Sequence, residues 1–272
     1  MGTRNSRRPC ARSQVSPGSE PVIKATNDGP AQGFVFDASA PLPEGQDKRA
    51  LVRSMFDAIA PRYDLVNCLM TFGLDGLWRR RTIELLRLSP ASVVIDVGCG
   101  TGDLARSLCR KGHRAVGIDL SLGMLGAARA GGAPLIQADA VALPFGTGAA
   151  DAVVSGFAVR NFADLGAVTG EIGRVLRPGG RLALLEVGEP TNRLLGLGHR
   201  AWFTHVVPVL GALLSDGAAY RYLPRSVAYL PSFPEFARLL ADAGFTEVRR
   251  HPLSGGIAQC VTATWSTERA EP

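Results

Sequence analysis

Chemistry in this chain is concentrated in one stretch, Val93-Val94-Ile95-Asp96-Val97-Gly98-Cys99-Gly100-Thr101-Gly102-Asp103. A run rich in β-branched residues enters a turn with glycine at alternate positions, where the backbone can bend tightly and approach a ligand with no Cβ in the way. A helical pattern follows, with Leu104 and Leu108 four apart, so the turn opens a helix N-terminus. Strand, glycine turn and helix form the crevice in which open α/β sheets hold nucleotides. A dinucleotide fingerprint is G-x-G-x-x-G, which seats a pyrophosphate on the helix N-terminus. Here the glycines run G-x-G-x-G and carboxylates flank them, Asp96 before and Asp103 after. Acids there oppose a diphosphate and suit a ligand with a cationic head, such as the ammonium and sulfonium of S-adenosylmethionine (SAM).

Two further acids close apolar runs. Asp119 ends Ala115-Val116-Gly117-Ile118, about 20 residues past the turn, where an adjacent strand end places a carboxylate on ribose hydroxyls. Asp139 ends Leu135-Ile136-Gln137-Ala138, where it or the amide of Ala140 can meet the adenine edge. Helix capping is the competing reading of these acids, and it stays open most for Asp139 and Asp103.

The elements that must position these residues alternate. Strands are predicted at 92–97, 114–119, 134–139, 151–155 and 182–187, with helices at 101–111, 121–130 and 164–176 between them, the mark of a parallel sheet. Ser232-x-x-Glu235 reads as a capping box for a helix that stops at Gly244. Strands at about 245–251 and 257–264 then close the sheet as a hairpin-like pair. Upstream, Leu51, Val52, Met55, Phe56 and Ile59 form an amphipathic stripe ended by Pro61. A short segment at 63–72 and a helix at 74–88 follow. The expected organisation is a disordered tail at 1–46, a domain at 47–266 and a tail at 267–272. Within the domain, 47–90 is a helical cap and 189–231 a substrate-side insertion. The apolar stretch Trp202 to Leu214 of that insertion is too short to span a bilayer and is interrupted by Pro208. It reads as a greasy wall or lid, or as helices packed on the domain.

With 272 residues, 46% of them hydrophobic, the chain can bury one sizeable α/β core. Its formal charge of +6 comes from scattered arginines rather than arginines grouped with aromatics, which disfavours nucleic acid. A mildly basic surface suits an anionic membrane surface, or implies no partner. The five cysteines form no C-x-x-C pair, so neither a zinc site nor a disulfide framework is expected, in keeping with a reducing cytoplasm. At the start, Met1-Gly2 with Ser6 matches an N-myristoylation pattern, and Arg4, Arg7, Arg8 and Arg12 resemble a transit peptide.

Further motifs carry a resemblance: Tyr63-Asp64-Leu65-Val66-Asn67, Trp78-Arg79-Arg80, Ala142-Leu143-Pro144-Phe145, Phe157-Ala158-Val159-Arg160-Asn161, Arg174-Val175-Leu176-Arg177-Pro178-Gly179-Gly180, Tyr220-Arg221-Tyr222-Leu223 and Gly255-Gly256-Ile257. With the glycine turn they make the chain similar to class I SAM-dependent methyltransferases, specifically the ubiquinone/menaquinone-biosynthesis C-methyltransferase family, over roughly residues 48 to 264. The resemblance implies a Rossmann-like seven-stranded, mostly parallel sheet under an N-terminal helical lid. It implies C-methylation of a prenylated quinol, demethylmenaquinol first. The expected cofactor residues are Asp96, Gly98, Gly100, Thr101, Gly102, Asp119, Asp139, Ala140 and Gly156. Arg160 and Tyr63 are the expected catalytic pair, with Asn161, Tyr220 and Tyr222 on the substrate and no metal. A phenol has a pKa near 10, and arginine stays protonated, so Arg160 is assigned to phenolate stabilisation and orientation; a scaffolding ion pair is its other reading. Departures occur at Asp75-Gly76 and at Val187-Gly188-Glu189. Methylation of another phenol, or a SAM-binding subunit of a quinone-biosynthesis complex, are the competing functions. A homodimer and peripheral membrane contact are the open partner readings.

Overall fold

The computed structural model describes residues 43–128, 132–188, 190, 192–206, 209, 222 and 225–266. The patterns read at the very start of the chain, Tyr220, and most of the stretch after Val206 fall outside these residues.

Three helices come first: α1 (Gly45–Ile59), α2 (Tyr63–Met70) and α3 (Leu74–Leu86). The alternating part follows as β1 (Val93–Val97), α4 (Asp103–Arg110), β2 (Arg114–Asp119), α5 (Leu122–Gly126), β3 (Leu135–Gln137), β4 (Ala150–Gly156), α6 (Leu165–Val175) and β5 (Leu176–Val187). Then come α7 (Arg193–Ala201), α8 (Phe233–Asp242), β6 (Phe245–Leu253) and β7 (Ala258–Trp265). The seven strands order as β3-β2-β1-β4-β5-β7-β6. Neighbours pair in parallel through β5, while β7 is antiparallel to both β5 and β6. The chain order reverses between β1 and β4, so a crevice opens above their C-terminal ends.

Alternation along each strand separates the two layers of core. Ile95 and Val97 of β1 and Val153 of β4 pack with Ile172, Leu182 and Phe236 on one face. Val94, Ala152 and Val154 pack with Leu86, Leu104 and Leu108 on the other. Both faces of the central strands are thus covered, as a parallel sheet requires.

Local signals act where the sequence places them. Asp164 caps α6 by accepting from Ala167 N at 2.9 Å, and Ser121 caps α5 by accepting from Met124 N at 3.0 Å. Ser232 N donates to Glu235 Oε2 at 2.9 Å, the capping box of α8. Several boundaries differ from expectation: α5 stops at Gly126 rather than 130, and β3 at Gln137 rather than 139. The fifth strand begins at Leu176, not Leu182: Leu176 pairs with Ala150, and the register then jumps so that Arg181 faces Ala152. Pro178-Gly179-Gly180 is therefore an irregularity within the ladder rather than a turn before it. The first helix opens at Gly45, inside the expected tail, and Pro43 O accepts from Tyr229 Oη.

The helical cap has its own cluster, Val52, Met55, Ile59, Val66 and Tyr222. Lys48 joins that cap to the loop after β4. Its Nζ donates to Phe162 O at 2.7 Å and lies 3.6 Å from the centre of the Tyr229 ring. Burial lowers its pKa to about 8, against the pull of Glu44.

Candidate active site

The glycine turn is held from below by β2. Gly98 N and Cys99 N both donate to Ile118 O, at 2.8 and 2.9 Å. Gly98 and Gly100 sit at φ +68° and +57°, which side chains rarely adopt. A Cβ on Gly98 would lie 2.5 Å from Ala158 Cβ, so this glycine also lets the loop after β4 close over β1. Asp119 braces the turn from the next strand: its Oδ2 accepts from Gly100 N at 2.8 Å and its Oδ1 from Ser121 N at 2.9 Å. Burial pushes its pKa up, while the amides of Ser121 and Gly100 pull it down.

Above these strand ends lies a cavity of about 370 Å³. Gly98, Gly100, Asp119, Asp139, Ala140 and Gly156 line it, and Ile118, Leu120 and Met124 give it apolar wall. Helix α1 closes it with Arg49, Val52 and Phe56. Arg49 pairs with Asp139 at 2.6 Å, and Asp139 Oδ1 also accepts from Val141 N at 3.2 Å.

Several expected cofactor residues are not on this wall. Asp96 is fully buried beneath the turn, where Oδ2 accepts from Ala105 N at 3.0 Å and Oδ1 has no hydrogen-bond partner among the described residues. Its carboxylate lies under helix α4 and off the cavity wall. Thr101 is buried and donates to Asp64 Oδ1 at 2.7 Å, tying the turn to α2. Gly102, at φ +81°, starts α4 and faces Leu135. Asp103 is neutralised by ion pairs with Arg79 and Arg106. Arg79 also pairs with Asp75 at 2.9 Å, so the unusual Asp75, itself buried, belongs to this ion-pair network.

A second cavity, of about 410 Å³, adjoins the first. Phe56, Tyr63 and Phe157 line both. Trp78, Val187, Leu194, Trp202 and Ile257 complete a largely apolar enclosure, and Arg160 is its one charged residue among the described lining. Trp78 is packed as core, with Nε1 donating to Ser254 Oγ at 2.8 Å, yet its ring still forms wall. Arg160 is 8% exposed; it donates from Nη1 to Glu186 Oε2 at 2.6 Å and from Nε to Ser226 Oγ at 3.2 Å. Tyr63 stands between the cavities. Burial raises its phenol pKa, although Arg79 and Arg160 act to lower it, so at neutral pH it is a hydrogen-bond donor.

Two residues expected on the substrate lie off the second cavity. Tyr222 is fully buried in the cap cluster and lines neither cavity; its hydroxyl reaches Asn161 Oδ1 at 3.4 Å. Asn161 faces the first cavity, not the second. Sequence reasoning missed Arg49, Phe56, Glu186 and Ser226. Glu186 carried a usable signal: it is an acid one residue before the end of β5, close to a strand end as Asp119 and Asp139 are.

The sheet order, the glycine turn and the acid at the end of β2 define a Rossmann-like methyltransferase. The donor set fits SAM: Asp119 and Asp139 can accept from ribose and adenine, and the apolar wall suits a purine face. More narrowly, the chain belongs to the ubiE/COQ5 methyltransferase family, whose model matches residues 44–265. It is 44% identical over 221 residues to the ubiquinone/menaquinone biosynthesis C-methyltransferase UbiE of Syntrophotalea carbinolica, covering 78% of this chain and 92% of that one. It is 45% identical over 213 residues to a demethylmenaquinone methyltransferase of Thermus thermophilus, covering 75% and 96%. A solved SAM-dependent methyltransferase of Thermotoga maritima, described as a possible histamine N-methyltransferase, superposes with a TM-score of 0.55 at 18% identity, covering 78% and 99%. That likeness concerns the fold alone. The chain is accordingly a methyltransferase, with SAM as its cofactor.

Proposed function

We propose that the chain methylates a ring carbon of a prenylated quinol, with demethylmenaquinol the first choice. The observation that carries this reading is the second cavity: an apolar enclosure with one cation, Arg160, sharing three walls with the cofactor cavity. The names of the relatives from Thermus thermophilus and Syntrophotalea carbinolica support it.

SAM, when bound, supplies an electrophilic methyl group. The chain's task is to align a nucleophilic carbon with it and to raise that carbon's electron density. Loss of a phenolic proton pushes charge onto the ortho carbon. An unperturbed phenol is a weak acid, with a pKa near 10, and a fixed cation beside its oxygen favours the ionised form. Arg160 is that cation. Phe56 and Phe157 hold the ring against the cofactor side, and Tyr63 donates a hydrogen bond at the junction. Asp119 and Asp139 act on the ribose and adenine.

A lipid surface is the proposed source of the substrate. Phe72 and Leu194, both lining the second cavity, are 70% and 80% exposed, and apolar groups at a cavity mouth suit a prenyl tail entering from a membrane. Among the described residues no helix is long and apolar enough to cross a membrane.

The test is incubation with methyl-labelled SAM and a panel of demethylated quinols, with mass spectrometry locating the label. The expected product carries it on a ring carbon beside a hydroxyl. Label found only on non-quinone phenols, or only on oxygen, overturns the proposal.

A further inference from the structure

Glu186 grips Arg160 at both ends. Its Oε2 accepts from Arg160 Nη1 at 2.6 Å, and its Oε1 accepts from the Arg160 backbone N at 3.4 Å. The same carboxylate is tied to its own strand, Oε2 accepting from Val187 N at 3.0 Å. Ser226 Oγ takes the Nε edge at 3.2 Å. The guanidinium is therefore held from β5 and from the segment around Ser226. Glu186 is only 4% exposed and does not line the second cavity, whereas Arg160 does. The carboxylate holds the cation without itself lining the space a substrate would fill.

A buried ion pair gives little net stability, because an apolar pair of similar volume packs as well. Its consequence lies in geometry and charge. We infer that Glu186 is a positioning residue for methyl transfer: it aims Arg160 at the phenolic oxygen and tempers the charge that oxygen meets. The inference rests on the proposed placement of a phenol beside Arg160. Among the described residues, the phenols of Tyr63 and Tyr222 feel this guanidinium's charge and the hydroxyl of Ser226 accepts from it. Glu186 is thus the counter-charge at hand, and a phenolate would make a second negative neighbour. Neutralising Glu186 leaves Arg160 a stronger stabiliser of phenolate; shortening it leaves the charge but spoils the aim.

The two effects separate in two variants. The probe is 4-nitro-1-naphthol, whose ionisation is read by absorbance when bound to the full chain. In Glu186→Gln the bound probe should ionise about one pH unit lower than in the unsubstituted protein. In Glu186→Asp the probe's midpoint should not fall, while kcat for demethylmenaquinol drops about tenfold and the KM for SAM is unchanged. A merely structural pair would lower the melting temperature of both variants and move neither midpoint nor kcat below that temperature. An unmoved midpoint in Glu186→Gln, or unchanged kcat in Glu186→Asp, overturns the inference. Should Glu186→Gln fail to fold, Glu186→Asp decides by its kcat. The probe needs no turnover, so a chain that methylates no quinol defeats the substrate reading and leaves the probe result standing.

Discussion

The two cavities that meet at Phe56, Tyr63 and Phe157 are built by opposite means. The cofactor cavity is mostly backbone and strand ends. Gly98 N, Cys99 N and Gly100 N are all fixed by β2, through Ile118 O and the Asp119 carboxylate. Its geometry follows from the sheet register and from glycines that no other residue replaces easily. The substrate cavity is mostly side chain, gathered from α2, α3, α7 and the ends of β4 and β5. No hydrogen-bonded ladder fixes its shape; packing and the tethering of one arginine do. A fold built this way can keep its methyl donor while its acceptor changes, because the two recognitions depend on different kinds of structure. The Thermotoga maritima structure shares the fold at 18% identity, which fits a scaffold fixed mainly by register and glycine geometry.

The contrast is broken most directly at Arg160. Arg160→Ala removes the only charge on the described wall of the second cavity. Losing one preorganised group of this kind costs about 10²- to 10³-fold in kcat. Affinity for SAM should stay within about twofold, because Arg160 is not on the first cavity's wall. Glu186 is left buried and unpaired, so assays belong well below a lowered melting temperature. Full retained turnover would return Arg160 to the role of scaffold.

Asp119→Ala is the reciprocal cut. It removes the carboxylate at the end of β2 and the brace on Gly100 N and Ser121 N. Hydrogen bonds to a charged group contribute about 1.5–3 kcal/mol, so calorimetry should find SAM bound roughly 10- to 100-fold more weakly. An unchanged dissociation constant would remove Asp119 from the cofactor site.

How much could be read in advance follows the same division. The glycine turn, the strand ends and the caps at Ser121, Asp164 and Ser232 are local signals, each complete within a few residues. The alternating α/β sheet and the cationic methyl donor were legible from them, while the seven-stranded methyltransferase architecture followed from the resemblance. The substrate side was not, because its decisive contacts join distant residues. Arg160 meets Glu186 across 26 positions and Ser226 across 66. Arg49 reaches Asp139 from the opening helix, which no periodicity announces. Tyr222 shows why residue type alone misleads. An aromatic ring with a hydroxyl suits a substrate wall and a core equally, and burial against Val52, Met55 and Val66 decides for the core. Asp96 poses a different case: its position beside the turn suits a ligand, while its carboxylate accepts from the helix that follows.

That use of Asp96 has a consequence for stability. Burial pushes its pKa up from 3.8 to about 7, with the Ala105 amide acting in the opposite sense. The folded chain therefore holds a proton on Asp96 that the unfolded chain releases near pH 4. Between these values folding takes up a proton, so stability falls as pH rises toward 7 and levels off once both states are ionised. Asp96→Asn replaces the acid by its neutral isostere, still able to accept from Ala105 N through Oδ1. The variant should match the unsubstituted protein near pH 3 and exceed it increasingly as pH rises, by up to about 4 kcal/mol at pH 8 in denaturant titrations. Because the carboxylate lies beneath the turn and off the cavity wall, SAM affinity should change by no more than about twofold. A gap between the two proteins that stays constant with pH would show that Asp96 is ionised in the fold throughout. A tenfold loss of SAM affinity, roughly 1.4 kcal/mol, would return this acid to the cofactor site and make the brace beneath the turn part of recognition.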